Sequence, residues 1–249
     1  MTDSDFTFCI CTYNSEKTLR NCLLSIKKVA PQSKIIVVDH FSGDSTSKIA
    51  KEFGAEIIFE NVGLGHARQV CFENASTKYI VFVDSDVEIL AQDFIQRSTL
   101  GLEKNETGAV VGMSLGHKFA YGLPASLLVL RQRDFRGKII PDYIDARETF
   151  FIQKRLDCLG LKTFYIFGAM KHNSQFRKYK PEWEGANTRI LPSSVLKELG
   201  FTTKVIILLT LNSRNSTNML YLPIFYLKFL RGFVNPQPWL KIRRAQGAS

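Results

Sequence analysis

Apolar and polar positions change along the first ninety residues in blocks that have the lengths of strands and helices. Mainly apolar runs predict strands over residues 6–12, 34–39, 56–59 and 79–83, and the second and fourth have the composition of strands that are buried on both faces. Between these runs, apolar residues recur at the three- and four-residue spacing of helices over residues 15–30, up to Gly54, and over 63–75. This alternation predicts right-handed crossovers and an α/β fold with a mostly parallel central sheet covered by helices on both faces.

The second part of the chain is less regular. Its patterns predict a helix over residues 91–102, a strand over 109–113, a mixed region over 116–143, a helix over 147–156 and a strand over 163–167. We therefore expect one large domain over residues 1–200, divided near residue 113 into halves 1–113 and 114–200, and a C-terminal extension over 201–249.

Polar residues follow the predicted strands at the end where a parallel sheet binds ligands. Thr12, Tyr13 and Asn14 follow the first strand, and Asp39 ends the second. The fourth strand stops at three acids, Asp84, Asp86 and Glu88. Carboxylates at this spacing are oxygen ligands suited to Mg²⁺ or Mn²⁺, although a solvated acidic turn is the alternative interpretation.

A glycine-containing segment precedes the fourth strand. Residues 63–68 read Gly-Leu-Gly-His-Ala-Arg and place open backbone and Arg68 at a predicted helix start, which suits a pyrophosphate. The Gly-x-Gly-x-x-Gly spacing after the first strand is absent, which argues against a dinucleotide-binding fold.

Charge is unevenly distributed along the 249 residues. The formal net charge is +10, and no Asp or Glu follows Glu198 while seven Lys or Arg residues do. The run Met219–Val234 interleaves aromatic residues with Lys228 and Arg231, which suits a helix in an anionic membrane interface. A helix docked on the domain, or a contact in a homo-oligomer, is the alternative. Nucleic-acid binding is disfavoured because the tail is apolar between its charges.

Nothing at the N-terminus reads as a signal peptide, and no run is long enough to span a membrane. The five cysteines lack Cys-x-x-Cys pairing and are interpreted as reduced thiols. These features predict a cytoplasmic protein, peripheral on the cytosolic face of a membrane.

Four motifs, in this order and spacing, resemble family 2 glycosyltransferases with the GT-A fold. They are Cys11-Thr12-Tyr13-Asn14, Ile36–Asp39 followed by Ser42, Asp44 and Thr46, Asn61-x-Gly63 followed by Ala67-Arg68, and Phe82–Asp86. The resemblance covers about residues 6–87. It implies a nucleoside-diphosphate sugar as donor, with UDP-sugars favoured over GDP-sugars, and Mg²⁺ or Mn²⁺ as cofactor.

The same resemblance implies roles for individual residues. Asp39 would contact the base, Arg68 and Asp84 the nucleotide-sugar, and Asp86 the metal ion together with Asp84. The remaining nucleotide-sugar residues would be Thr12, Tyr13, Asn14, Gly63 and Ser85. The segment His40-Phe41 departs from the small polar residues that are usual in the family, which leaves the base open.

Two further residues are similar to functional positions of the family. Glu148-Thr149 stands where the family has a Glu-Asp pair, which makes Glu148 the candidate general base and Asp145 the reserve. An acid in the first turn of a helix is also expected from the helix dipole alone. His172, twelve residues past Gly160, resembles a histidine that completes the metal site, whereas a lone histidine among lysines is more often a surface residue.

The function expected from these residues is metal-dependent, inverting transfer of a sugar to an acceptor hydroxyl on a lipid-linked or membrane-proximal acceptor. A sugar-1-phosphate nucleotidyltransferase is one alternative, but Thr12–Ser15 lacks the Gly-rich loop with Arg and Lys that it needs. A catalytically idle binding protein is another, because Thr149 replaces the second acid.

Overall fold

The computed structural model describes residues 3–120, 122–144, 146–173, 181–212 and 217–240. The strands of this part are β1 Phe6–Thr12, β2 Lys34–Asp39, β3 Glu56–Phe59, β4 Tyr79–Val83, β5 Val87–Ile89, β6 Thr107–Ser114, β7 Leu127–Arg131 and β8 Lys162–His172. Its helices are α1 Glu16–Val29, α2 Thr46–Glu52, α3 Leu64–Asn74, α4 Phe94–Glu103, α5 Thr149–Cys158, α6 Pro181–Arg189, α7 Val195–Asn212 and α8 Thr217–Val234.

The strands described form one eight-stranded sheet in the order β3-β2-β1-β4-β7-β6-β8-β5. Strands β1 to β4 pair in parallel, as the alternation of strands and helices predicts. Strand β7 then runs antiparallel to both β4 and β6, and β5 runs antiparallel to β8. The sheet is therefore parallel in the half that the sequence predicts well and mixed in the other half.

Helices cover both faces of the sheet. Strand β4 has no polar alternation because both of its faces are buried. Tyr79, Val81 and Val83 enter one core, and Ile80 and Phe82 enter the other. The first core contains apolar residues of α1, α2 and α4, and the second contains those of α3 and α5. A strand buried on both faces has to be apolar throughout, so the fold class predicted from the sequence is confirmed.

The C-terminal helices pack closely on one another. A β-carbon on Gly185 of α6 would lie 2.0 Å from the carbonyl oxygen of Phe229, and one on Gly232 of α8 would lie 1.8 Å from that of Glu182. Phe229 and Phe233 are buried at this contact. One face of α8 is thus docked, while Ile224, Leu227 and Val234 stay exposed on the other.

The predicted boundary at residue 200 falls within α7, and the division into domain and extension stays a prediction. Within the described part of the chain, no helix combines the length and the apolar character needed to cross a membrane. The basic residues of 241–249 lie outside the described residues.

Candidate active site

A cavity of about 750 Å³ opens where β1 and β4 end and α5 begins. Six of the residues singled out by the sequence line it: Arg68, Asp84, Ser85, Asp86, Glu148 and His172. They come from α3, the β4–β5 turn, the start of α5 and the end of β8. The sheet edge thus gathers side chains that lie up to about a hundred residues apart in the sequence, as expected for ligand sites of open α/β sheets.

Arg68 is the buried cation of this cavity. Its Nη2 donates a hydrogen bond to Oδ1 of Asp84 over 3.1 Å, and its Nε lies 3.0 Å from Oε1 of Glu148. Burial alone would lower the pKa of Arg68, but the carboxylates of Glu148 and Asp84 outweigh it and raise that pKa. One guanidinium therefore bridges two acids that belong to different parts of the fold.

The contact between Arg68 and Glu148 is Coulombic rather than a directed hydrogen bond. Among the described residues, Nε of Arg68 has no partner that meets hydrogen-bond geometry, despite the 3.0 Å separation. Glu148 is buried in the cavity wall, directly before α5. Its lone pairs are therefore not committed to Arg68 by an aligned bond.

The backbone just before Glu148 is strained. Arg147 has a φ of 62°, in the left-handed region that bulky side chains rarely adopt. Such outliers persist only where surrounding contacts enforce them, and they concentrate at functional sites. The reserve base, Asp145, lies outside the described residues.

Asp86 and His172 meet on the opposite side of the cavity. The antiparallel pairing of β5 with β8 sets Val87 opposite His172, which brings Nδ1 of His172 to 3.7 Å from Oδ1 of Asp86. The close carboxylate of Asp86, together with the negative charge of Asp84, raises the pKa of His172 against the opposing effect of burial. The strand-like run predicted over 163–167 extends to His172, so this histidine ends a strand.

The donor groups fit a hard divalent ion shared with a substrate. The described residues contain no group of three or more His, Cys, Asp or Glu arranged as a metal cage. Mg²⁺ is commonly held by one or two carboxylates together with substrate phosphates and water, so Asp86 with neighbouring Asp84 is the expected kind of partial site. The imidazole of His172 shifts the preference toward Mn²⁺, since Mg²⁺ prefers oxygen ligands.

Asp39 lies in the core rather than on an open surface. It is fully buried and accepts hydrogen bonds from Oγ1 of Thr12 at 2.6 Å and from the backbone N and Oγ of Ser42 at 2.8 and 2.6 Å. Asn14, with a φ of 49°, accepts a hydrogen bond from the backbone of Gly43 at 2.9 Å. These residues connect the loops after β1 and β2, so a base would reach Asp39 only after Ser42 moves.

Aromatic side chains stand exposed beside these loops. Tyr13 meets His40 edge to face with ring centroids 5.5 Å apart, and Phe41 stacks on Phe59 at 5.3 Å. Phe41 is 62% exposed and has a φ of 49°, an unusual conformation for a bulky residue. The stacked pair was not predicted, although the unusual His40-Phe41 segment was its signal in the sequence.

The loop that leads into α3 is held by a buried acid. Glu60 binds Nδ1 of His40 at 2.7 Å and accepts a hydrogen bond from the backbone of Gly63 at 2.9 Å. Gly63 has a φ of 144°, which favours glycine at this helix start. Sequence reasoning missed Glu60, because its role depends on a fold that brings two loops together.

Ser85, in the β4–β5 turn, is buried and donates a hydrogen bond to Oγ of Ser15 at 3.0 Å.

Comparison with solved structures defines the class of fold. A mannosyltransferase from Pyrobaculum calidifontis, solved with GDP-mannose and Mn²⁺, superposes with a TM-score of 0.63 at 15% identity over 98% of this chain and 73% of its own. A glucosyl-3-phosphoglycerate synthase from Mycobacterium tuberculosis, solved with Mn²⁺, UDP-glucose and phosphoglyceric acid, superposes with a TM-score of 0.58 at 17% identity over 78% and 79%. The fold is the GT-A fold of these glycosyltransferases.

The sequence places the chain within that class. The family model of glycosyl transferase family 2 matches residues 7–158, and the chain belongs to this family. A teichoic acid poly(glycerol phosphate) polymerase of Staphylococcus epidermidis is 28% identical over 212 residues, which is 80% of this chain and 26% of the polymerase. The chain spans 15% to 26% of the length of the curated relatives that it matches.

Proposed function

We propose that this protein is a metal-dependent, inverting glycosyltransferase that moves a sugar from a nucleoside-diphosphate sugar to an acceptor hydroxyl. The observation that carries the proposal is the convergence of Arg68, Asp84, Asp86, Glu148 and His172 on one cavity at the sheet edge. The cavity supplies carboxylates for a metal, a buried cation for the donor and a separate carboxylate for a proton. Membership of the family supports the same reaction class.

The donor would lie along the ends of β1, β2 and β4. Asp84, held by Arg68, would face the ribose or the sugar, and the exposed Tyr13 would offer its ring to the base. The other donor contacts would come from Thr12, Asn14, Asp39, Gly63 and Ser85. A uridine nucleotide is favoured, with a guanosine nucleotide as the second choice. The two solved structures that share the fold hold UDP-glucose and GDP-mannose.

Asp86, Asp84 and His172 would hold Mg²⁺ or Mn²⁺. When bound, the ion supplies positive charge that neutralises the departing nucleoside diphosphate. Arg68 contributes a fixed positive charge on the other side of the cavity, and its burial keeps that charge from being screened by water.

Glu148 would act as general base. The acceptor oxygen would attack the anomeric carbon as the bond to the diphosphate oxygen breaks, and the hydroxyl proton would pass to Glu148. One displacement inverts the anomeric centre. The guanidinium of Arg68 lies 3.0 Å from Glu148 without an aligned hydrogen bond from its Nε that would occupy a lone pair of the base.

The acceptor would be lipid-linked or close to a membrane, on the cytosolic face. Support comes from the outer face of α8, where exposed Ile224, Leu227 and Val234 lie near exposed Lys228 and Arg231. Apolar side chains next to basic ones are typical of helices that lie in an anionic membrane interface.

The experiment that tests the proposal is thermal stabilisation of the full chain by a panel of nucleotide-sugars with Mn²⁺ present, followed by transfer or donor hydrolysis with the best binder. We expect one nucleoside-diphosphate sugar to stabilise the wild type. Asp86→Ala should remove most turnover while leaving the fold intact, since a residue at a strand end contributes little to packing. Full activity of Asp86→Ala in excess EDTA would overturn the metal assignment. Turnover of a nucleoside triphosphate would indicate a nucleotidyltransferase.

A further inference from the structure

A second cavity of about 270 Å³ adjoins the first. It lies between the start of α5, residues 122–123 and the start of α7, and Arg147 and Thr149 line both cavities. The second cavity is therefore a direct neighbour of the cavity that contains Glu148. This neighbourhood makes it a candidate for the binding of part of an acceptor.

The walls of the second cavity are mainly apolar. Leu123, Phe150, Pro192 and Phe201 line it, and four of its polar side chains are engaged in two pairs. Nε2 of Gln153 donates to Asp157 at 2.7 Å, and Arg147 pairs with Glu198 at 3.0 Å. A sugar ring needs several directed hydrogen bonds, whereas these walls offer apolar contact instead.

Two lysines line this cavity. Lys154 and Lys197 are exposed, and neither forms an ion pair with any described residue. Glu198 is paired with Arg147, whereas the hydrogen bond from the neutral amide of Gln153 leaves the charge of Asp157 in place. The cavity therefore combines an apolar interior with a small excess of positive charge, which complements a ligand that has an aliphatic part and an anionic group.

The surface beyond Lys197 extends the apolar character outward. Leu196 is 81% exposed, and Ile207 and Leu211 are exposed on the same side of α7 by helical spacing. A chain that leaves the cavity at this point would stay on apolar surface toward the end of α7. Such a path fits an aliphatic chain longer than the cavity itself.

We propose that the second cavity is the acceptor subsite and that it binds a phosphate-bearing lipid, with the aliphatic chain inside the cavity and the phosphate at Lys154 and Lys197. The proposal rests on the proposed function, because the hydroxyl of this acceptor has to reach Glu148. Arg147 separates the two cavities and sets the distance between chain and hydroxyl.

The test uses the full chain and farnesyl phosphate below its micelle concentration, with farnesol and inorganic phosphate as partial ligands. Calorimetry should show binding of farnesyl phosphate that is stronger than that of either partial ligand. Lys154→Gln/Lys197→Gln should weaken the binding of farnesyl phosphate by about tenfold, the sum of two exposed charge contacts, and leave the affinity for farnesol unchanged. Gln153→Trp, which fills the cavity, should reduce the affinity for farnesyl phosphate to that for inorganic phosphate. The matched control Lys48→Gln/Lys51→Gln removes two exposed lysines of α2 and should change nothing.

The outcomes separate this subsite from the proposed function. Stabilisation by nucleotide-sugar and Mn²⁺ should be equal in all these variants, since none alters the donor cavity. Farnesyl phosphate binding that Gln153→Trp leaves intact would place the lipid elsewhere and overturn the subsite while the donor result stands. Binding of a neutral methyl glycoside that Gln153→Trp abolishes, without farnesyl phosphate binding, would show a sugar subsite and overturn it as well.

Discussion

Two arginines flank Glu148, and they differ in what they hold. Arg68, on the side proposed for the donor, is buried and pairs with the side chains of Glu148 and Asp84 inside the cavity. Arg147, on the side proposed for the acceptor, pairs with Glu198 of α7 at 3.0 Å, with its guanidinium 5.4 Å from the ring centroid of Phe201. Arg68 therefore positions two carboxylates in the cavity, whereas Arg147 holds the segment before α5 against α7.

The difference shows which part of the site depends on neighbouring elements of the sequence and which part depends on long-range packing within the chain. Arg68 sits in a regular helix, and its pairing with Asp84 needs only α3 and β4, both predicted from their patterns. Arg147 adopts a strained conformation and contacts helices that lie about forty to fifty-five residues further along the chain. We infer that donor binding tolerates changes in the C-terminal helices better than transfer does.

The largest effect is expected from Glu148→Gln. Removing a positioned general base costs about 10²–10⁴-fold in rate, while donor binding should stay near normal because Arg68 keeps Asp84 as partner. The measurement is single-turnover transfer alongside donor affinity. Glu198→Gln, which removes a buried carboxylate paired with the other arginine, should slow transfer far less and so separates loss of the base from loss of a buried charge. A dead Asp145→Asn beside an active Glu148→Gln would move the base to Asp145.

Arg68→Met should be the most destabilising of the arginine changes. It leaves the buried Glu148 without its counter-charge, and breaking a buried pair from one side costs about 3–5 kcal/mol. Urea unfolding of the full chain measures the free energy of unfolding. Arg20→Met, which removes an exposed pair with Glu52 between α1 and α2, should cost at most about 1 kcal/mol. Equal losses in both variants would contradict the role of Arg68.

Arg147→Met should cost less, about 1–3 kcal/mol, because it removes the hydrogen bonds of a guanidinium that is itself only partly buried. Hydrogen exchange should quicken in α7 and stay unchanged in α3, and transfer should slow while donor affinity holds. Arg147→Gly loses the same contacts but relieves the left-handed backbone, so it should be more stable than Arg147→Met by about 1–2 kcal/mol. Faster exchange in α3 would mean that Arg147 supports the donor side instead.

The sequence predicts the parallel half well because β1, β2 and β4 are buried and mainly apolar and its helices have clear apolar spacing. The apolar run of β7 was not separated from the mixed region 116–143, and β5 has only three residues, too few to show a period. Asp39, Asp84 and Asp86 were chosen for their place at strand ends. Their hydrogen bonds, the pairing of Arg68 with Glu148 and the anchoring by Arg147 depend on long-range contacts that composition and spacing do not encode.

The smallest effect is expected from substitutions on the outer face of α8, the face proposed to contact a membrane. A chain ending near Thr203 would lose the buried Phe229, so truncation alone confuses folding with membrane binding. Ile224→Ser/Leu227→Ser changes only exposed side chains and should lower co-sedimentation with anionic liposomes by about five- to tenfold at unchanged stability. The matched control, Leu100→Ser on exposed α4, should have no effect. Equal sedimentation of all three proteins would mean that α8 serves the fold and not a membrane.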